Sequence, residues 1–278
     1  AGVTIGMLMA TFIVSLMTLF SEEDFLSWGW RIPFLLSSVL VLLGLWIRRD
    51  IDETPDFKKV KASGQVAKAP LRDTLTHHWR EVLIAAGLKV VETAPFYIFS
   101  TFVVSYATST LSYQKSQVLE AVTVGALIAT VMIPLMGLLS DKIGRKRMYA
   151  ISVALLGLFI VPWFLLLNTG TTWGIMLATI VMFGVLWAPV TAVLGTLCSE
   201  IFSANVRYTG ITLGYQIGAA LAGGPAPLIA TGLLAKYDGD WVPVAWYLLT
   251  TVAISLVAIF FASRVKRSPA INAQPNEL

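Results

Sequence analysis

The sequence predicts an all-α integral membrane protein. Of its 278 residues, 56% are hydrophobic and 13% are charged, whereas soluble domains carry about 25% charged residues. The mean hydropathy is +0.76. Apolar stretches also recur at close to the 20 or so residues that a helix needs to cross a hydrocarbon core of about 30 Å. We therefore expect a lipid bilayer to surround most of the chain.

Eight apolar stretches are predicted to be membrane-spanning helices. They lie near residues 1–20, 32–47, 82–108, 118–139, 149–167, 173–198, 209–235 and 244–263. The first lacks the basic n-region and cleavage pattern of a signal peptide. The second is short, so residues 28–31 are expected to add interfacial turns.

The seventh predicted span has a face of small residues and, further on, a segment rich in glycine and proline. Four small residues recur every fourth position, which allows a neighbouring helix to approach closely. They are Gly210, Gly214, Gly218 and Ala222. Further on, residues 223–227 read GGPAP, and because proline removes a backbone donor, we expect the helix to bend or break there.

Basic residues predict the orientation of the chain. The segments 48–80, 140–148, 199–208 and 264–278 hold 8, 4, 1 and 3 of the 20 lysines and arginines. The opposite connections hold three. Because basic loops stay on the cytoplasmic side, we expect a multi-pass protein of the inner or plasma membrane with both ends of this chain cytoplasmic. The net charge of +4 follows from this topology and indicates no nucleic-acid partner.

The same pattern divides the chain into segments. Residues 1–47 hold two spans, and residues 48–80 are rich in charge and are read as a cytoplasmic linker. Residues 81–263 hold six spans and residues 264–278 form a cytoplasmic tail.

A short motif lies between the fourth and fifth predicted spans. Residues 137–147 read GLLSDKIGRKR; the glycines Gly137 and Gly144 would permit a tight turn, and Asp141 could cap a helix start. This segment resembles the loop signature of the major facilitator superfamily of transporters. The alternative is an ordinary basic loop beside a membrane.

That resemblance implies a major facilitator-like helical bundle of twelve spans in two halves. Eight of the twelve are then present here, from the fifth span onward, and the first four are expected to be missing. The resemblance also assigns a gating role to the charged residues of this loop, with partners on the connection 199–208. The implied gating residues are Gly137, Asp141, Gly144, Arg145, Arg147, Glu200 and Arg207.

A narrower resemblance rests on several short strings. Residues 28–36 read WGWRIPFLL, 53–55 read ETP, 206–210 read VRYTG and 213–216 read LGYQ. They look like the metabolite:proton symporter branch, which carries shikimate, 2-oxoglutarate, citrate, proline and betaine. GLK at 87–89 followed by Glu92 is most similar to the shikimate carriers. The implied partners are a small organic acid or zwitterion and a proton.

Lys89 and Glu92 are the two charges well inside a predicted span. At i and i+3 they share a helix face, and Lys89 lies about 10 Å from the cytoplasmic edge at about 1.5 Å per residue. Charges at such depth usually mark a substrate or proton pathway, so Lys89 is predicted to bind a substrate carboxylate and Glu92 to carry a proton. An inert, mutually neutralised pair is the alternative. Other residues predicted to line the pathway are Thr93, Tyr97, Thr212, Tyr215 and Gln216.

Nothing in the sequence predicts an enzyme. It contains no zinc-protease pattern, nucleophile elbow or phosphate-binding loop. The single cysteine, Cys198, excludes an internal disulfide, and the adjacent His77 and His78 have no third metal ligand nearby. We expect no metal and no cofactor. The predicted function is proton-coupled symport by alternating access; the alternatives are a membrane metabolite sensor and an inactive truncated transporter.

Overall fold

The structure is a computed structural model that describes residues 2–17, 24, 27–50, 70–203 and 206–264. The chain forms two compact units, one over Gly2–Gln65 and the other over Val66–Leu278. Each unit is described by itself below. Most of the predicted linker and tail, residues 51–69 and 265–278, lies outside the described residues.

The first unit contains two helices. Helix α1 covers Gly2–Met17, and the last residues of the first predicted span, 18–20, lie outside the described residues. Helix α2 covers Ile32–Asp50 and follows a single 3₁₀ turn, Gly29–Arg31. That turn agrees with the prediction that residues before position 32 lengthen the second span. Helix α2 exposes large apolar side chains along its length, as a helix in lipid does.

The second unit contains seven helices within its described residues. They are α3 Pro70–His77, α4 Trp79–Ser109, α5 Lys115–Ile143, α6 Arg145–Leu167, α7 Thr172–Ile201, α8 Arg207–Lys236 and α9 Val242–Ala262. Six of them, α4 to α9, are long and apolar enough to cross a membrane, and so is Gly29–Ile47 of the first unit. Seven of the eight predicted spans are thereby confirmed as helices of sufficient length, and the all-α membrane architecture is confirmed with them.

Helix α4 is the centre of the second unit. It packs against α8 and α9 along most of its length and against α7 near its middle. Helix α5 packs on α7, and α6 packs on both α7 and α9. The largest fully buried side chains include Trp163 and Trp187, the two tryptophans that the sequence places away from the membrane edges.

Three of the long helices contain a π-helical stretch next to a proline. In α4 it covers Ile98–Phe102, after Pro95; in α7 it covers Ile180–Leu186, before Pro189. In α8 it covers Ala219–Gly223, and the α-helix resumes only at Ala226–Lys236. Proline lacks an N–H and clashes with the preceding turn, so the ladder shifts register locally. The predicted break in the GGPAP segment is confirmed.

Small residues bring α8 against α4. A β-carbon added to Gly214 would lie 2.5 Å from Ala85 Cβ, and one added to Gly218 would lie 2.5 Å from the Ala86 carbonyl oxygen. Atoms cannot approach so closely, so only glycine permits this helix separation. The predicted smooth face of α8 is therefore the face that contacts α4.

The structure corrects the prediction for residues 137–147. The connection is much shorter than the predicted 140–148, because α5 continues to Ile143 and α6 begins at Arg145. Only Gly144 separates them, with φ of +97°, a conformation that glycine adopts at little cost. Asp141 lies in the last turn of α5 and caps no helix start, and Gly137 lies inside α5 rather than in a turn.

At the opposite end of the bundle, Tyr113 joins two connections. Its hydroxyl donates to the carbonyl oxygens of Leu167 at 2.9 Å and Thr171 at 3.2 Å. Burial raises the pKa of this phenol, so the hydroxyl keeps its proton. The α4–α5 connection is thereby tied to the α6–α7 connection.

Candidate functional site

Helix α4 presents an ion pair inside the bundle. Lys89 Nζ donates a short, charge-assisted hydrogen bond to Glu92 Oε2. The two side chains are 17% and 8% exposed, so both are largely removed from solvent. The shared helix face predicted from the i, i+3 spacing is the face on which they meet.

Thr93 extends the pair by one residue. Its Oγ1 lies 2.9 Å from Glu92 Oε2 and 3.1 Å from the Lys89 carbonyl oxygen, within hydrogen-bond distance of both. The Glu92 carboxylate therefore has a cationic and a neutral donor on the same oxygen. Such partners offset part of the cost of burying a charge.

Helix α8 supplies an aromatic neighbour. Lys89 Nζ lies 4.8 Å from the centre of the Tyr215 ring, a distance at which a cation is attracted to the ring face. The Tyr215 hydroxyl lies near the Cys198 thiol of α7. Cys198 is fully buried, as expected for a core residue, but nothing in the sequence places it beside Tyr215.

The remaining predicted pathway residues lie farther out. Tyr97 is one turn beyond Thr93 and is 39% exposed; a β-carbon on Gly223 would meet both side chains, so the break in α8 packs against them. Thr212 and Gln216 are exposed on α8. The structure thus brings together Lys89, Glu92, Thr93 and Tyr215, and leaves Thr212 and Gln216 on the surface of the described unit.

Three further residues near the pair were not predicted as part of the site. Trp187 Nε1 donates to the Glu92 carbonyl oxygen at 2.7 Å, and the Tyr149 hydroxyl donates to the Leu88 carbonyl oxygen at 2.6 Å. Ser255 contacts the preceding turn of α4. All three bind backbone atoms rather than charged side chains, and no spacing rule within one helix reveals such contacts.

A second charged cluster lies at the end of the bundle where α5 meets α6. Arg145 Nη1 donates to Glu200 Oε1 at 2.7 Å, and Arg145 Nη2 donates to Asp141 Oδ1 at 3.2 Å. The guanidinium thereby connects α5, α6 and α7. The side chains of Asp141, Arg145 and Glu200 are 59%, 34% and 27% exposed, so this cluster is far more accessible than the pair on α4.

The other predicted gating residues on α6 and α8 are Arg147 and Arg207. Arg207 Nε donates to the Phe202 carbonyl oxygen at 3.4 Å, and Arg147 is exposed. Lys146, which was not predicted, donates to the Ala262 carbonyl oxygen at 2.9 Å and so holds the last turn of α9. A pocket of about 430 Å³ lies here, lined by residues of 140–147 and by Glu200.

A helical bundle of apolar spans with a buried charged pair and a charged cluster at one end is the architecture of a polytopic membrane carrier. Residues 1–223 and residues 90–277 match the Major Facilitator Superfamily. The chain belongs to this family. Its members are carriers and not enzymes, as the sequence predicts.

Individual relatives narrow the comparison. The chain is 31% identical over 270 residues to the shikimate transporter of Escherichia coli, covering 96% of this chain and 62% of that protein. It is 30% identical over 290 residues to the glycine betaine/proline/ectoine/pipecolic acid transporter of Dickeya dadantii, covering 99% of this chain and 56% of that protein.

A third relative is an inner membrane metabolite transport protein of Escherichia coli, 31% identical over 275 residues, which are 95% of this chain and 61% of that protein. The chain thus spans less than two thirds of the length of these relatives. The predicted resemblance to metabolite transporters is confirmed. No solved structure matches the chain significantly.

Proposed function

We propose that this chain belongs to a secondary active transporter that moves a small organic acid or zwitterion together with a proton by alternating access. Two relatives are named as transporters of shikimate and of glycine betaine, proline, ectoine and pipecolic acid. All of these substrates carry a carboxylate. A carboxylate-binding cation within the bundle is what such substrates require.

The observation that carries the proposal is the buried pair on α4. Among the described residues Lys89 pairs with the Glu92 carboxylate, and a substrate carboxylate that binds Lys89 competes with Glu92 for the same ammonium charge. Glu92 would then be an unpaired anion in a low-dielectric site, which is costly unless it binds a proton. Substrate binding and proton binding are thereby linked at neighbouring side chains.

The Arg145 cluster is proposed as the cytoplasmic gate. Partly exposed ion pairs are worth only about 0–1 kcal/mol each, so they can break and form again during each transport cycle. The three side chains lie on three helices, and a relative movement of any one of them breaks a contact.

We also propose an inner-membrane location with both ends of this chain cytoplasmic. Thiol labelling of intact cells tests it. Ser140, suggested by its place in the predicted loop, is only 3% exposed, and Ser63 lies outside the described residues; Lys142→Cys is the better inner probe and Asp240→Cys the outer one, since both positions are exposed. Cys198 is buried and gives little background. Labelling of Lys142→Cys from outside would contradict the orientation.

Transport is tested in proteoliposomes with labelled shikimate, proline and glycine betaine and an imposed pH gradient. The wild type is expected to accumulate at least one of them. Glu92→Gln is expected to abolish accumulation but permit exchange, because a permanently neutral side chain mimics only the protonated state. Glu120→Gln, at an exposed carboxylate of α5, is the matched control and should transport normally.

The alternatives give different results. Binding of a probe without uptake in any vesicle would favour a membrane sensor. Uptake by a longer form of the protein, but not by this chain, would favour the truncated-transporter alternative. Full recovery of uptake in Lys89→Ala/Glu92→Gln would show that the pair is inert.

A further inference from the structure

Ser255 of α9 lies within hydrogen-bond distance of two backbone groups of α4. Its Oγ donates to the Gly87 carbonyl oxygen at 2.6 Å and accepts from the Val91 N–H at 3.1 Å. In a regular helix this N–H and this carbonyl bond each other directly. The hydroxyl therefore bridges the two ends of one turn, and Lys89 is the middle residue of that turn.

Tyr149 of α6 contacts the same turn. Its hydroxyl donates to the Leu88 carbonyl oxygen at 2.6 Å. Both Tyr149 and Ser255 are fully buried. Two helices thus reach the backbone around Lys89, each through one buried hydroxyl.

The turn lies where α4 is weakened and where α9 comes closest. Pro95 has no N–H, so the Val91 carbonyl oxygen lacks its usual helical donor. A β-carbon on Gly87 would lie 2.8 Å from Ala258 Cβ, so glycine there lets α9 approach and lets Ser255 reach the backbone. Side chains of other helices thus contact α4 in the turn that precedes this interruption.

Two other buried hydroxyls of the bundle bond within their own helices. Ser152 Oγ donates to the Met148 carbonyl oxygen of its own helix at 2.7 Å, and Thr251 Oγ1 donates to the Leu248 carbonyl oxygen at 2.7 Å. Such bonds are local and common in helices. The Ser255 hydroxyl instead bonds to the backbone of another helix. These contacts therefore stabilise α4 rather than α9, the helix that carries Ser255.

We infer that Ser255 and Tyr149 are positioning residues that hold the backbone of α4 around Lys89, and so set where the Lys89 ammonium group meets a substrate carboxylate. This inference rests on the proposed function for the role of Lys89. The backbone contacts themselves do not depend on it, and the two parts can be tested separately.

Hydrogen–deuterium exchange of the purified protein tests the contacts. Ser255→Ala and Tyr149→Phe should each speed exchange of peptides covering residues 87–95 by about tenfold, the scale for losing one buried hydrogen-bond partner. Ser152→Ala is the matched control, a buried serine with a bond inside its own helix, and should leave these peptides unchanged. Equal exchange in Ser255→Ala and Ser152→Ala would overturn the inference whether or not the protein transports.

Exchange transport of shikimate, proline or glycine betaine tests the role. With a substrate that the wild type moves, Ser255→Ala and Tyr149→Phe should raise KM about tenfold and leave the maximal rate per folded protein unchanged, while Ser255→Thr restores KM and Ser152→Ala does not alter it. Faster deuterium exchange with an unchanged KM would overturn the positioning role. A wild type that moves none of the three probes would instead contradict the proposed function, and the deuterium measurements would still decide the contacts.

Discussion

The two charged groups of the second unit differ mainly in what surrounds them. The Lys89–Glu92 pair lies on one helix, with its side chains 17% and 8% exposed, and neighbouring helices hold the backbone that carries it. The Arg145 cluster joins three helices, yet Asp141 is 59% exposed. Similar chemical groups therefore have different energetic consequences, because the cost of an unpaired charge rises as water is removed.

Exposure to solvent thus distinguishes the proposed substrate site from the proposed gate. Breaking a buried pair requires a substitute partner, which a substrate and a proton can provide. Breaking an exposed ion pair costs little free energy, since water replaces the lost partner. The comparison leads to four predictions, taken from the largest expected effect to the smallest.

Removal of the buried cation should have the largest effect. Lys89→Ala leaves Glu92 without its ionic partner and should lower the free energy of unfolding by about 3–5 kcal/mol, measured by denaturation in detergent. Lys115→Ala, at an exposed position, should change it by less than about 0.5 kcal/mol. Lys89→Ala/Glu92→Gln should regain most of the stability while remaining unable to accumulate substrate. Equal stability of the two single lysine variants would show that the pair is not effectively buried.

Loss of the stronger contact in the exposed cluster should have a smaller effect. Glu200→Gln removes the charge from the partner that lies 2.7 Å from Arg145 and should slow the transport cycle several-fold, because the state closed on this side is less populated. Substrate affinity should stay within a few-fold of wild type. Exchange assays measure the transport rate and the substrate affinity separately. A large loss of affinity would contradict a gating role.

Asp141→Asn should act in the same direction but less strongly. Asp141 lies 3.2 Å from Arg145 and its side chain is the most exposed of the three, so its contribution should be about 0–1 kcal/mol. Asp238→Asn is the matched control, since Asp238 lies in the connection at the opposite end of the bundle and its φ of +50° is one that asparagine also adopts. Normal transport by Asp141→Asn, or loss of binding, would show that its role is misassigned.

Ionic strength should affect the exposed cluster and the buried pair differently. Raising the ionic strength from about 0.1 M to about 1 M shortens the Debye length from about 10 Å to about 3 Å. The difference in exchange rate between wild type and Asp141→Asn should narrow by about twofold, because screening weakens exposed contacts. The difference in stability between wild type and Lys89→Ala should stay constant. If the rate difference for Asp141→Asn and the stability difference for Lys89→Ala narrowed to the same extent, the exposed cluster and the buried pair would not differ in screening.

The helices themselves were largely predictable. Long apolar stretches dictate spanning helices because an unpaired backbone group is costly in hydrocarbon, and the GGPAP segment indicates its own break. The prediction failed at residues 140–148, where polar residues suggested a loop. Asp141 and Lys142 fit an exposed last turn of α5 as well as they fit a loop, and only Gly144 interrupts the helix.

The candidate site was predictable only in part. Lys89 and Glu92 are neighbours through helix geometry alone, so their pairing follows from spacing. Tyr215 of the LGYQ string lies beside Lys89, whereas Thr212 and Gln216, predicted from their place roughly opposite the small-residue face of the same span, are exposed. No nearby sequence pattern indicates the contacts of Trp187, Tyr149 and Ser255 with α4, because these residues lie far from α4 in the sequence.

The sequence by itself determined that the chain lies in a lipid bilayer, that its fold is all-α and that it belongs to the major facilitator superfamily. It also determined that Lys89 and Glu92 share a helix face, since composition, helical period and short motifs are local properties. Only the tertiary structure decided which helices meet. Arg145 reaches Glu200 across 55 residues and Ser255 reaches Gly87 across 168. Such contacts depend on how closely helices pack. The glycines of α4 and α8 allow close packing, but they do not specify which side chain of the neighbouring helix will contact them.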